Sequence, residues 1–99
     1  MRSARFLVES RLAEAARGSV EACYDLGIAY SCGTGGVDVD LVEAHKWFNL
    51  AALGGYREGQ AMRAEIAGEM SGAEIAEAQR QARAWLRAGT QAEAPRYLS

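Results

Sequence analysis

Apolar residues recur at intervals of three and four in five stretches of the chain, and polar or glycine-rich breaks separate them. That spacing places side chains on one face of a helix, and no stretch alternates with the period of two that a strand requires. The first predicted helix covers residues 4–17. Ser3 is its N-cap, Phe6, Leu7, Leu12, Ala13 and Ala16 are on its apolar side, and Gly18 stops it. The second runs from Val20 to Cys32 behind Ser19, with Ala22, Leu26 and Tyr30 on one stripe. Gly27 lies beside that stripe. Glycine costs about 1 kcal/mol in a helix interior, so its presence predicts close approach of a neighbouring helix backbone.

Gly33, Thr34, Gly35 and Gly36 form a turn, and Val37 supplies an apolar plug. Asp40 and Glu43 have capping-box spacing and open a third helix that ends near Leu53. Its apolar face is Leu41, Ala44, Trp47, Phe48 and Ala51, with Ala52 adjacent, and Gly54-Gly55 stops it. A short fourth helix covers residues 56–68. Ser71 and Glu74 then form a second capping box, with Met70 and Ile75 as a hydrophobic staple. The fifth helix is predicted over residues 72–88. Ile75, Ala78, Ala82, Trp85 and Leu86 form its inner face, and Gly89 ends it. Residues 90–99 are expected to form a flexible tail.

The pattern therefore predicts an all-α chain of five helices. The composition, 49% hydrophobic and 24% charged, supports a folded domain. At 99 residues there is room for one small domain, here placed at residues 1–89. A net charge of −2 with both signs interspersed offers no basic field for nucleic acid. No apolar run is long enough to span a membrane. Phe6-Leu7-Val8 is too short for a signal peptide and is followed by Glu9, so the expected compartment is the cytoplasm.

The residues with chemical potential do not assemble into a reaction centre. The glycine turn follows a helix and lacks the strand and the Lys-Ser/Thr of a phosphate loop. Asp38 and Asp40 do not make a calcium loop, because position 49 is Asn49 and not glutamate. Cys23 and Cys32 are separated by about 13 Å along one helix, beyond the ~7 Å that a disulfide allows, and two thiols are a poor zinc set. Cys32, near a helix C-terminus, lacks the field that activates a thiolate. His45 adjoins Lys46 off the apolar stripe and is expected on the solvent-facing surface. Trp47 and Phe48 read as core, and Arg80, Arg83 and Arg87 as a solvated helix face. No catalytic residue, metal site or cofactor is expected, and the chain is not expected to be an enzyme.

Internal repetition adds a level of organisation. Ala15–Gly18 overlies Ala52–Gly55 at an offset of 37, and Ala22 then falls on Gly59. The register decays afterwards, with Leu26 on Arg63 and Gly27 on Ala64. One complete unit at about residues 19–55 is expected, with a partial unit on each side. The series Ala22, Leu26, Gly27, Tyr30, Gly33, Gly35, Val37, Asp40, Ala44, Trp47, Ala51, Ala52 and Gly55 resembles a Sel-one-like repeat, a relative of the tetratricopeptide repeat. The resemblance covers residues 15–59, and departs from the family at Gly59, where alanine is usual, and at Arg63, where leucine would begin another unit.

The resemblance implies a short α-solenoid of antiparallel helix pairs, closed by a capping helix at residues 71–88. It implies a non-enzymatic module, an adaptor or regulatory scaffold in the bacterial manner, that binds a peptide or protein partner. With the packing positions assigned to the scaffold, Tyr24, Asp25, Ile28 and Ser31 of the second helix remain as candidate partner-binding residues. The small number of repeats also raises self-association, as a homo-oligomer or as the end of a longer array, as an alternative role.

Overall fold

The computed structural model describes residues 5–98, and the side-chain surroundings of residues 7–89. Five helices occur in it and no strand among the described residues: α1 (Arg5–Ala16), α2 (Val20–Cys32), α3 (Leu41–Leu53), α4 (Arg57–Ala67) and α5 (Gly72–Leu98). The Ser3 cap falls outside the described residues. Adjacent helices pack as pairs, α1 on α2, α2 on α3 and α3 on α4, and α5 returns to lie against α3. This is the arrangement of a short repeat solenoid, with α3 at its centre.

Local chemistry sets the helix ends. The Ser19 hydroxyl accepts from the Ala22 amide at 3.1 Å, and the Asp40 carboxylate from the Glu43 amide at 3.2 Å. Each satisfies a backbone donor that the first turn of a helix leaves unpaired. Ser71 and Glu74 complete a reciprocal box, at 2.8 Å and 3.1 Å. The Asp40 cap stays one-sided, because the Glu43 carboxylate turns to the Trp47 indole N–H instead, at 3.1 Å. Gly33, Gly35 and Gly36 all take positive φ in the α2–α3 turn. The Asp40 amide closes that loop on the Tyr30 carbonyl at 2.9 Å, and Val37 rests against the core.

The core has two parts. One joins Val8 and Ala15 of α1, Ala22, Cys23 and Leu26 of α2, Trp47, Leu50 and Ala51 of α3, and Ala82 of α5. The other joins Ala44 and Phe48 of α3 to Ile66 of α4. Trp47, Phe48 and Leu26 are fully buried. The glycines inside α2 and α4 are placed by packing. A Cβ on Gly27 would lie 2.5 Å from the Phe48 ring, so the close neighbour is an aromatic side chain and not the backbone expected from the sequence. A Cβ on Gly59 would lie 2.9 Å from the Phe48 carbonyl and 3.1 Å from the Ala52 amide nitrogen. Gly59 is the departure that lets α4 approach the α3 backbone.

Four expectations need correction. Leu7, Ala13 and Ala16, placed on the apolar side of α1, are exposed, and Val8 and Ala15 are buried in their place. His45 is not on the solvent-facing surface: it is 3% exposed. The central position of α3 gives it neighbours on several sides, so its buried arc is wider than the apolar stripe. Leu86, assigned to the inner face of α5, is 46% exposed. α5 also continues through Gly89 to Leu98 and does not end at Ala88. Gly89 lacks the positive φ by which a glycine reverses the chain at a helix end, so nothing at that residue interrupts the backbone ladder.

Candidate functional site

The outward side of α1 and α2 forms an open groove of about 610 Å³, lined by Arg11, Glu14, Arg17, Ser19, Glu21 and Asp25. The short Gly18–Ser19 link brings the two helices together, and their exposed i, i+3 and i, i+4 positions then face one another across the seam. Arg11 organises the groove. Its Nη1 lies 2.9 Å from Glu14 and its Nε 3.1 Å from Asp25, so one guanidinium bridges the two helices. Glu21 and Arg17 are exposed in the same groove.

The four residues expected to meet a partner do not form one surface. Asp25 is exposed and lines the groove. Tyr24 is half-buried, its ring 4.9 Å from Tyr56 and 5.5 Å from Phe48 between centroids. Ile28 is half-buried against the Ala44–Phe48–Ile66 cluster. The Ser31 hydroxyl donates to the Ile28 carbonyl of its own helix at 3.1 Å. Tyr24 and Ile28 thus join scaffold and surface, and Asp25 is the most accessible of the four. The contribution of α1 was missed. Its signal was the row Arg11, Glu14 and Arg17, charged residues that recur every third position.

The candidate repeat positions hold the scaffold. Ala22, Leu26, Gly27, Ala44, Trp47 and Ala51 are buried, Tyr30 and Ala52 half-buried, and Gly55 takes a φ of +95°. Residues 20–56 match the Sel1 repeat family. The chain carries a Sel1 repeat. The matched span begins at the first residue of α2 and ends just before α4, so the Sel1 repeat is the α2–α3 pair with both of its turns. Sel1 repeats are helical modules, generally non-catalytic and typically scaffolds for protein interaction. No curated protein and no solved structure gives a significant match to the chain.

The polar chemistry around the Sel1 repeat is sparse. Among the described residues no three His, Cys, Asp or Glu side chains are grouped to hold a metal ion, and no helix is long and apolar enough to cross a membrane. Cys23 is buried, and burial raises its thiol above the ordinary value. Cys32 is free and exposed.

His45 Nδ1 is buried without a hydrogen-bond partner. Burial lowers the imidazole below its ordinary value, and the positive charge of Arg63 acts in the same direction. The folded chain therefore binds fewer protons than the unfolded chain once pH falls below the unfolded value near 6.5. Stability contributed by neutral His45 is complete above that pH and is lost as pH falls through it toward the folded value. Urea midpoints should fall between pH 7.5 and 5.5, by up to about tenfold in the folding constant per pH unit. A His45→Phe variant should show a smaller fall. Equal pH dependence in the two proteins would remove His45 as the cause.

Proposed function

We propose that the chain is an adaptor or regulatory scaffold that takes a peptide segment of a partner protein along the α1–α2 groove. The observation that carries this reading is the separation between scaffold and groove. Leu26, Gly27, Ala44, Trp47 and Ala51 of the repeat turn inward, whereas Glu21 and Asp25 of α2 face an open cleft also lined by α1. Helix-pair repeats offer extended surfaces of this kind because each pair packs only on its neighbours. Asp25 supplies the polar anchor, whereas Tyr24 and Ile28 pack toward Phe48 and line no part of the groove. The groove holds three carboxylates and two guanidiniums. A partner segment with a basic side chain would meet Glu21 or Asp25, and one acidic side chain would meet Arg17.

Peptides selected from a random displayed library on the intact chain test the reading. Those that bind should share a basic position. Asp25→Ala and Glu21→Ala should each weaken binding by roughly 1.5- to fivefold, in the range of accessible charge pairs. The far-UV circular dichroism spectrum should be unchanged, since both side chains are exposed. Selected peptides that bind both variants as tightly as the parent chain would overturn the assignment.

A further inference from the structure

The α1–α2 seam does not stop at the Arg11–Asp25 bridge. Beyond it, toward the start of α1 and the end of α2, lies a hollow of about 250 Å³ lined by Leu7, Val8, Leu26, Ala29 and Gly35. Arg11 and Asp25 line both the groove and this hollow. The ion pair therefore stands between a charged stretch and an apolar one on a single seam.

Both helices and the turn after α2 build the hollow. Val8 and Leu26 are buried and form its floor. Ala29 lies one helical turn beyond Asp25, and its short side chain leaves space beside them. Gly35 bounds the hollow on the side of the turn. Its φ is +69°, and a Cβ there would lie 3.0 Å from a Val8 methyl carbon and 3.8 Å from the Ala29 Cβ. Leu7 is 59% exposed on the rim. Its apolar surface stays in water until another apolar group covers it.

We propose that this hollow takes one large apolar side chain of the same partner segment whose basic side chain meets Asp25, an assignment that rests on the α1–α2 groove being the peptide site. Along α2, Glu21, Asp25 and Ala29 succeed one another at about 6 Å. An extended segment advances about 3.3 Å per residue and returns to the same face at every second residue. Its apolar anchor therefore falls two positions from the residue that pairs with Asp25. Asp25 is exposed, so its carboxylate can meet an incoming cation as well as Arg11 Nε, at 3.1 Å. The seam suits a peptide better than an anionic membrane. Glu14, Glu21 and Asp25 line it and oppose a negative surface, and a single hollow of side-chain size fits one discrete anchor.

The test uses the intact chain and peptides selected on it from the displayed library. Selected sequences should carry Leu, Ile, Met or Phe two positions from the basic residue. Fluorescence anisotropy then compares one such peptide with its serine replacement at the apolar position. The serine peptide should bind roughly three- to tenfold more weakly, since an open hollow buries only part of the side chain. Leu7→Ser should weaken the apolar peptide by at least about twofold and leave the serine peptide unchanged. Its circular dichroism spectrum should be retained, because Leu7 is exposed. Asp25→Ala should weaken both peptides alike. Weakening by Asp25→Ala alone, with the serine replacement and Leu7→Ser without effect, would overturn the apolar anchor and keep the groove. Selected peptides that lack an apolar residue at that spacing would do the same. If none of the three changes matters, or no peptide is selected, anchor and groove fall together. A concentration-dependent dimer that Leu7→Ser dissociates would also overturn the anchor, by giving the hollow to a second copy of the chain.

Discussion

Trp47→Ala is expected to destabilise the chain by about 3–5 kcal/mol, the usual range for removing a fully buried aromatic side chain. A domain of this size has a total stability of about 5–15 kcal/mol, so the variant should be close to unfolded at moderate urea. The effect has several physical sources. Trp47 is 1% exposed. Its ring meets Trp85 edge-on, with centroids 4.9 Å apart and planes at 75°, and so joins α3 to α5. Its indole N–H donates to Glu43. Lys46 Nζ lies 4.8 Å from the ring centroid and 2.9 Å from the Glu43 carboxylate. Trp47→Phe keeps much of the ring volume but leaves Glu43 without the indole donor, and should cost less than half as much. Urea titration followed by far-UV circular dichroism separates the two. A loss below about 1 kcal/mol for Trp47→Ala would mean that α3 and α5 are not held together by this contact.

Gly27→Ala should destabilise the chain by about 1–3 kcal/mol, although alanine ordinarily improves a helix interior by about 1 kcal/mol over glycine. The sign follows from space. The new methyl group would sit 2.5 Å from two carbons of the Phe48 ring, and Phe48 is itself fully buried, with no free direction in which to withdraw. Gly27→Leu should abolish cooperative folding. The partner in the clash can be tested directly by a double-mutant cycle. Phe48→Leu alone should lose stability through the smaller side chain, and Gly27→Ala in that background should be far less costly than in the parent. Gly89→Ala supplies the control: nothing lies within 4 Å of a Cβ there, so the substitution should be neutral or stabilising. If Gly27→Ala behaves like Gly89→Ala, the α2–α3 interface is looser than its geometry requires.

Local signals carried the reading of the fold furthest. Ser19, Asp40 and Ser71 act within one helical turn, and Gly33, Gly35 and Gly36 fix their own backbone, so the helix starts and the turn were legible residue by residue. The α2–α3 pair was legible for the same reason, since its stripes of alanine, leucine and aromatic residues follow a helical period. What periodicity does not say is which helix ends up in the middle. α3 is covered by α2, α4 and α5, and His45 is buried as a result although it sits beside Lys46. The converse holds at Leu7 and Leu86, apolar residues assigned to packing faces that the fold leaves exposed.

The surface was less legible than the scaffold. Subtracting the packing positions of α2 left Tyr24, Asp25, Ile28 and Ser31, but subtraction treats one helix in isolation. Tyr24 and Ile28 are drawn toward Phe48 and α4, and Ser31 bonds to its own helix. Asp25 instead faces α1, and the Arg11 bridge that defines the groove depends on a contact between residues fourteen positions apart. No single-helix pattern encodes that contact.

The central claim is that the inward positions of the Sel1 repeat build a scaffold and that a partner segment meets the α1–α2 groove. The most direct measurement is a ¹⁵N–¹H amide correlation spectrum of the chain, recorded with and without a peptide selected from the displayed library. Amide shifts confined to Arg11, Arg17, Glu21, Asp25 and their neighbours, with Ala44, Trp47 and Ala51 unmoved, are the expected result. Shifts that spread through the Trp47–Phe48 core, or that leave α1 and α2 untouched, would contradict it.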